Sequence, residues 1–155
     1  RRPPRSTLFP YTTLFRSRIS PVTPANDVSD SNPQPLFDYI VDHLNALKLT
    51  YIHVIEGATG GPRDNAPFDY ASLRKRFKQA YIANNGYDFA LAEKVLEAGA
   101  ADLIAFGKPF ISNPDLVERL KAGAPLNEWD KATFYGGGAK GYTDYPTLKA
   151  TEAAE

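Results

Sequence analysis

Three aromatic or β-branched runs, Tyr51–Ile55, Ala80–Ala83 and Ala101–Phe106, each break at a glycine and are each followed by a helical stretch. That cadence constrains the fold more than any other feature. A strand that leaves through a helix and returns as a strand roughly 20 to 30 residues later must run parallel to its predecessor. The first run closes at Glu56-Gly57, and a loop rich in Gly and Pro leads to a basic helix over 70–77. The second breaks at Asn84-Asn85-Gly86, after which Asp88 caps a helix carrying Leu91, Ala92, Val95 and Leu96 until Gly99 supplies a left-handed stop. The third breaks at Gly107-Lys108, and Asn113-Pro114-Asp115 opens a helix with Leu116, Val117 and Leu120 that ends at Gly123. Upstream, Asn32-Pro33 opens a helix whose Leu36, Phe37, Ile40, Val41, Leu44 and Leu47 form one apolar stripe.

The expected class is therefore α/β, with parallel strands and helical crossovers. Two architectures compete. A doubly wound sheet places a GxGxxG turn after its first strand, and none occurs; a (β/α)₈ barrel puts its phosphate site after its last two strands, where Asn85-Gly86 and Gly107-Lys108 fall. A barrel takes about 250 residues, so a chain of 155 residues is either a smaller fold or a piece.

Composition narrows the chemistry. Eighteen basic residues balance eighteen acidic ones, so no net field draws the chain to nucleic acid or an anionic membrane. With no Cys and two His, thiol nucleophiles, disulfides and thiolate metal sites are excluded, an imidazole metal cage is disfavoured, and no metal ligand is assigned. No apolar run reaches the ~20 residues of a membrane span, which makes the cytoplasm the default location. Residues 1–17 stand apart: four Arg, three Pro, no acid, and a near-repeat of Thr7-Leu8-Phe9 at Thr13-Leu14-Phe15. They resemble a translated sequencing adapter and are expected to be a non-native or disordered tail, with a basic arm or a targeting segment as the rivals. Residues 149–155 are expected to fray.

A glycine just past a parallel strand lets main-chain N–H groups approach an anion, so Gly86 and Gly107 are candidate phosphate contacts, with Lys108 adding a point charge. Each glycine alone reads more simply as a plain turn residue; two adjacent strands ending the same way, the second followed by a Lys, bring the anion reading level with it. Arg18, in Arg18-Ile19-Ser20-Pro21, either ends a strand at the carboxyl edge of a sheet or is a surface cation. His53 is expected to be a hydrogen-bonded core residue and His43 to lie on a solvated face. No Ser, His and Asp constellation is legible, which leaves hydrolase chemistry without support. Tyr135, ahead of Gly136-Gly137-Gly138, is suited to closing over a flat ligand, or belongs to a flexible tail wrapping a scaffold.

Read together, RISP at 18–21, ANNGYD at 83–88, AFGKPFISNPDLVERL at 105–120 and FYGGGAKGYTDYPTL at 134–148 resemble the carboxyl-terminal part of the Old Yellow Enzyme family. The likeness is nearest to bacterial alkene reductases of the N-ethylmaleimide reductase type. It implies that 18–148 is the C-terminal half of a TIM (β/α)₈ barrel holding non-covalent FMN. NADPH or NADH would reduce the FMN, and the substrates would be the activated C=C bonds of enones, maleimides or related small electrophiles. It also implies that Arg18 meets the pyrimidine end of the flavin, that Asn85, Gly86, Gly107 and Lys108 hold its phosphate, and that Tyr135 stands at the flavin and substrate mouth. Lys108 departs from the family's usual Arg. The family's His and His/Asn substrate anchors and its Tyr proton donor belong to the earlier half, so no catalytic residue is assigned in this chain, which would be an inactive fragment by itself. The competing functional class is a non-catalytic α/β module that binds a phosphate ligand. A nucleic-acid binder would rest on Arg1, Arg2, Arg5 and Arg16 alone.

Overall fold

The computed structural model describes residues 15–25, 29–64 and 67–149. The expectations for most of the basic tail and for the final residues therefore fall outside the described residues. The chain forms two compact units, Arg1–Ala105 and Phe106–Glu155.

The first unit is a four-stranded parallel sheet in the order β1 (Ser17–Ile19), β2 (Tyr51–Ile55), β3 (Ala80–Asn84), β4 (Leu103–Ala105). The crossovers contain α1 (Pro33–Ala46), α2 (Tyr70–Arg76) and α3 (Phe89–Glu97). One register line runs through Arg18, His53, Ile82 and Leu103, and another through Ile55, Asn84 and Ala105. Strand alternation then separates two faces. Ile52, Val54, Tyr81 and Ala83 are wholly buried and share the core with Val41 of α1 and Leu73 of α2. Each large aliphatic side chain withdrawn in this way stabilises the unit by about 1.5–3 kcal/mol relative to exposure. The opposite face carries Arg18, His53, Ile82 and Leu103, of which Leu103 is 52% exposed.

Helix starts follow local chemistry. Asp69 accepts the Ser72 N–H at 3.1 Å and Asp88 accepts the Leu91 N–H at 2.8 Å, each satisfying a donor left over at a first turn. Asn32 occupies the N-cap of α1 but makes no capping bond through its side chain; its N–H is held by Asp30 at 2.7 Å instead. Of the stripe on α1, only Val41 is fully buried, whereas Leu36 and Leu47 keep 40% and 57% exposure.

The strand expected over 101–106 is shorter, because the ladder at its start is taken over by a side chain. The Tyr81 N–H donates to the Asp102 carboxylate at 2.7 Å while the Asp102 N–H returns to the Tyr81 carbonyl at 2.9 Å. Arg74 pairs with the same carboxylate at 2.8 Å.

The second unit contains α4 (Lys108–Ser112), a helix that follows the Gly107-Lys108 break and is not expected from the sequence pattern, then α5 (Leu116–Ala122) and a 3₁₀ turn (Lys131–Thr133). Polar side chains hold it together. Asn113, fully buried, accepts the Asn127 N–H at 2.7 Å and donates to the Pro109 carbonyl at 2.9 Å, and the Asn127 amide returns to the Ser112 carbonyl at 2.8 Å. Asp115 does not cap α5; its carboxylate pairs with Arg119 at 2.8 Å and receives the Leu148 N–H at 2.6 Å. Arg119 also donates to the carbonyls of Pro125 and Pro146, so the segment after α5 is fastened back onto it.

Gly57 and Gly99 both sit at positive φ, +76° and +66°, but in different surroundings. A Cβ on Gly57 would stand 2.4 Å from Arg63 Cα and 2.4 Å from the Pro62 carbonyl, whereas one on Gly99 would meet nothing within 4 Å. Gly99→Ala should therefore cost about 1 kcal/mol, the left-handed penalty alone, and Gly57→Ala about 3 kcal/mol or more, read as denaturant midpoints on matched samples. Equal losses would refute the backbone clash.

Candidate functional site

The carboxyl ends of the parallel strands carry most of the polar chemistry of the first unit. Glu56, the first residue after β2, is 8% exposed. A buried carboxylate needs partners, and this one has an ion pair with Arg63 and the Tyr87 hydroxyl donating at 2.7 Å. The Arg63 guanidinium also donates to the Tyr87 hydroxyl at 2.9 Å and lies 4.1 Å from the centroid of its ring. Burial, and then the bond to Glu56, raise the Tyr87 phenol well above its ordinary range, so it stays a donor at all physiological pH values. On the other side of Glu56 the Gly57 N–H donates to the Tyr70 hydroxyl at 2.6 Å, and Thr23 donates to the Gly57 carbonyl at 2.9 Å.

Asn85 and Gly86 follow β3 directly, with φ of +97° and +66°. Asn tolerates this region better than other side chains, and Gly meets no penalty there. The Asn85 amide is spent inward. Its Nδ2 donates to the carbonyls of Glu56 at 2.7 Å and Ala58 at 2.9 Å, and its Oδ1 receives the Gly60 N–H at 3.2 Å. Among the described residues, the main-chain N–H groups of Asn85 and Gly86 have no hydrogen-bond acceptor. They are the groups that remain available to an anion.

Arg18 pairs in register with His53 on the exposed face. His53 departs from the expected hydrogen-bonded core residue, since its Nε2 is buried without a partner. Its register neighbours are Arg18 and Ile82, and neither makes a hydrogen bond to the ring. Burial, and then the Arg18 charge, hold the His53 pKa below its usual 6.5. His43 is exposed as expected, on the outer face of α1, with its ring 4.0 Å from that of Tyr39.

In the second unit Gly107 is the N-cap of α4 and Lys108 its first residue, with no side chain capping the helix. A Cβ on Gly107 would meet nothing within 4 Å, so that turn is open. The Lys108 ammonium stands 5.1 Å from the Trp129 ring centroid, Trp129 packs on Phe134 at 5.5 Å, and Phe134 on Tyr135 at 6.3 Å. Lys108 and Tyr135 are thus joined by an aromatic ladder that the motif reading did not contain. Tyr135 itself is 97% exposed. A polar hollow of about 490 Å³ between α1 and α2, lined by Asp42, Asn45, Ser72, Lys75, Arg76 and Lys78, includes none of the residues singled out from the sequence. Among the described residues no cluster could hold a metal, and no helix is long and apolar enough to cross a membrane.

A parallel α/β sheet with glycine turns at its carboxyl edge is a frame that many α/β proteins share, and comparison makes the class specific. Residues 14–127 match the NADH:flavin oxidoreductase / NADH oxidase family, and the chain belongs to it. It is 39% identical over 129 residues to a 12-oxophytodienoate reductase-like protein of Solanum lycopersicum, covering 83% of this chain and 35% of that protein. It superposes on morphinone reductase solved with tetrahydroNAD with a TM-score of 0.77 at 39% identity, covering 86% of this chain and 35% of the other. On the old yellow enzyme of Trypanosoma cruzi the TM-score is 0.79 at 37% identity, with the same two coverages of 86% and 35%. The four parallel strands with their helical crossovers are consistent with part of a (β/α)₈ barrel of this type. The chain spans about a third of the length of these relatives.

Because the folded His53 pKa is depressed, the unfolded chain takes up the proton first as pH falls. The neutral His53 contributes stability that is complete above about pH 6.5 and is lost as pH drops toward the folded value. Denaturant unfolding of wild type and His53→Phe at pH 7.5 and 5.5 should show the wild type losing more stability on acidification. A larger loss in the variant would contradict the assignment.

Proposed function

We propose that this chain contributes the flavin-phosphate part of an FMN-dependent NAD(P)H:alkene oxidoreductase acting on activated C=C bonds such as those of enones and maleimides. The observation that carries the reading is the Asn85-Gly86 turn, with two consecutive positive φ values and two N–H groups left unpaired at the carboxyl edge of a parallel sheet. Such a turn suits a phosphate dianion. Gly107, at φ −102°, and Lys108 supply a second glycine break after β4, of different backbone geometry, with a cation beside it.

Arg18 suits the other end of an extended ligand. From the register, Arg18 lies two strands across and three residues along from Asn85, roughly 14 Å at ordinary strand spacings. A free phosphate cannot reach both, whereas a ligand with a phosphate at one end and an electron-accepting ring at the other can. A fixed guanidinium at that ring stabilises the negative charge that accumulates on reduction. FMN, when bound, supplies reversible hydride storage between a nicotinamide and the β-carbon of the alkene. The residues of this chain would bind and orient it: Asn85 and Gly86 through their N–H groups, Gly107 through the opening of α4, Lys108 by charge, Arg18 at the ring, and Tyr135 at the mouth. No residue is proposed here as proton donor to the α-carbon or as substrate anchor, so the chain by itself would bind the cofactor without turning over. The barrel segment is proposed to extend over 18–148.

Titration with FMN, followed by flavin absorbance and fluorescence, together with NAD(P)H oxidation in the presence of N-ethylmaleimide, tests this. FMN should bind, and alkene-dependent NAD(P)H oxidation should be absent from the 155-residue chain. Absence of any FMN binding by the full encoded protein would overturn the reading. Lys108→Arg should tighten FMN retention roughly two- to fivefold by replacing a point charge with a bidentate fork.

A further inference from the structure

We infer that Glu56, Arg63 and Asn85 are positioning residues that hold the Asn85-Gly86 turn in a phosphate-accepting shape, and so set the preference for a phosphorylated over an unphosphorylated form of the same ligand. The inference rests on the FMN reading above and adds to it a source of phosphate selectivity.

The turn is strained where it stands. Asn85 at φ +97° is one of only two non-glycine residues at positive φ among the described residues, and a side chain in that region costs of order 1 kcal/mol or more unless its surroundings hold it. What holds it is the loop after β2. The Asn85 amide grips the carbonyls of Glu56 and Ala58 and receives the Gly60 N–H, so turn and loop fix one another. From beneath, the stem of Arg63 fills the space under Gly86: a Cβ there would stand 3.2 Å from Arg63 Cδ and 3.4 Å from Cγ. Arg63 is in turn immobilised by Glu56, by the Tyr87 hydroxyl at 2.9 Å and by stacking on the Tyr87 ring.

An arginine beside a phosphate turn invites the simpler assignment of a phosphate ligand. The geometry points elsewhere. The Arg63 guanidinium is directed to Glu56 and Tyr87, and its charge is matched by a carboxylate that is almost wholly buried. The Asn85 side chain is likewise used up on main-chain carbonyls. Both Arg63 bonds leave from Nη2, toward Glu56 and the Tyr87 hydroxyl, and its Nε is buried without an acceptor, so the carboxylate and the phenol set the direction of the guanidinium; what Arg63 and Asn85 deliver is the placement of two N–H groups. An anion site whose donors are already aimed loses less ordering entropy on binding.

The two assignments predict opposite signs for one substitution. Glu56→Gln removes a negative charge close to an anion site, so electrostatics alone predicts tighter FMN binding, while loss of the Arg63 anchor predicts weaker binding. The experiment is fluorescence titration of the full encoded chain with FMN and, separately, with riboflavin, which lacks the phosphate. For wild type, FMN should bind far more tightly than riboflavin. For Glu56→Gln, FMN affinity should fall roughly tenfold, about the effect of one or two ordered hydrogen bonds, with riboflavin affinity within about twofold of wild type. Asn85→Gly retains the tolerance for positive φ but removes the clamp, and should narrow the same ratio if Glu56→Gln does not fold. FMN binding that is unchanged or tighter in both variants, or an equal loss for both ligands, would overturn the inference while leaving the FMN assignment standing. A wild type that does not distinguish FMN from riboflavin would overturn the phosphate assignment itself, and the inference with it.

Discussion

The buried carboxylate of Glu56 is the group around which the first unit is organised. Leaving one such charge unpaired costs about 3–5 kcal/mol, so the chain must bring donors to it. They come from two separate segments, Arg63 from the loop after β2 and Tyr87 from the segment after β3. The main chain of the same residue carries two further ties: its carbonyl receives the Asn85 amide and its N–H donates to the Asn84 carbonyl at 3.0 Å. One residue thus sets the shape of two neighbouring strand ends. The clash that forbids a Cβ on Gly57 follows from it, because Arg63 can reach Glu56 only if the loop folds back against Gly57.

The second unit solves a similar problem without a comparable apolar core. Its fully buried side chains include Asn113 and Ser112 beside Leu116, so its order depends on every polar atom finding a partner. Asn113 and Asn127 do this reciprocally, each using its amide on the main chain of the other's segment. Asp115 carries the return of the chain: the Leu148 N–H, before any contribution from Arg119, holds its carboxyl below the ordinary range and keeps it ionised as an acceptor. The sequence around it, Asn-Pro-Asp, reads as a helix start, and the helix does start there. Only the structure tells that the Asp, besides pairing with Arg119 within the helix it opens, serves a segment more than thirty residues away instead of capping that helix.

That difference marks the limit of what the sequence disclosed. Elements governed by local periodicity and caps were legible: β2 falls at Tyr51–Ile55, α3 begins after Asp88, and Gly99 and Gly123 adopt the left-handed conformation that ends a helix. Short elements decided by tertiary contacts were not. Helix α4 has only five residues with Pro109 near its start, and β4 is trimmed by the Asp102 side chain. The glycines and Lys108 stand out in the sequence because glycine after a strand is a local signal. Arg63 carried none and Tyr87 only its place in ANNGYD, and they lie 7 and 31 residues from Glu56, in a loop and after a turn. One cue was available: Glu56 directly follows a strand that is buried on one face, a place where a carboxylate needs a partner.

Glycine turns illustrate why neighbours, and not residue type, decide what such a signal means. Gly86 has the Arg63 stem packed beneath it, and its preceding residue is clamped by three main-chain partners, so its N–H is presented in one direction. Gly136 and Gly137, at φ +131° and +93°, have nothing within 4 Å of where a Cβ would stand, and the adjoining Tyr135 is almost fully exposed. A turn that must meet an anion at a fixed place gains from the first arrangement, since donors that wander lose the benefit of convergence. A turn that must let a ring swing over a ligand gains from the second, because glycine without packing imposes no single conformation. The same residue therefore serves rigidity at one site and freedom at the other. The distinction is made by Glu56 and Arg63, which are present at the first and have no counterpart at the second among the described residues.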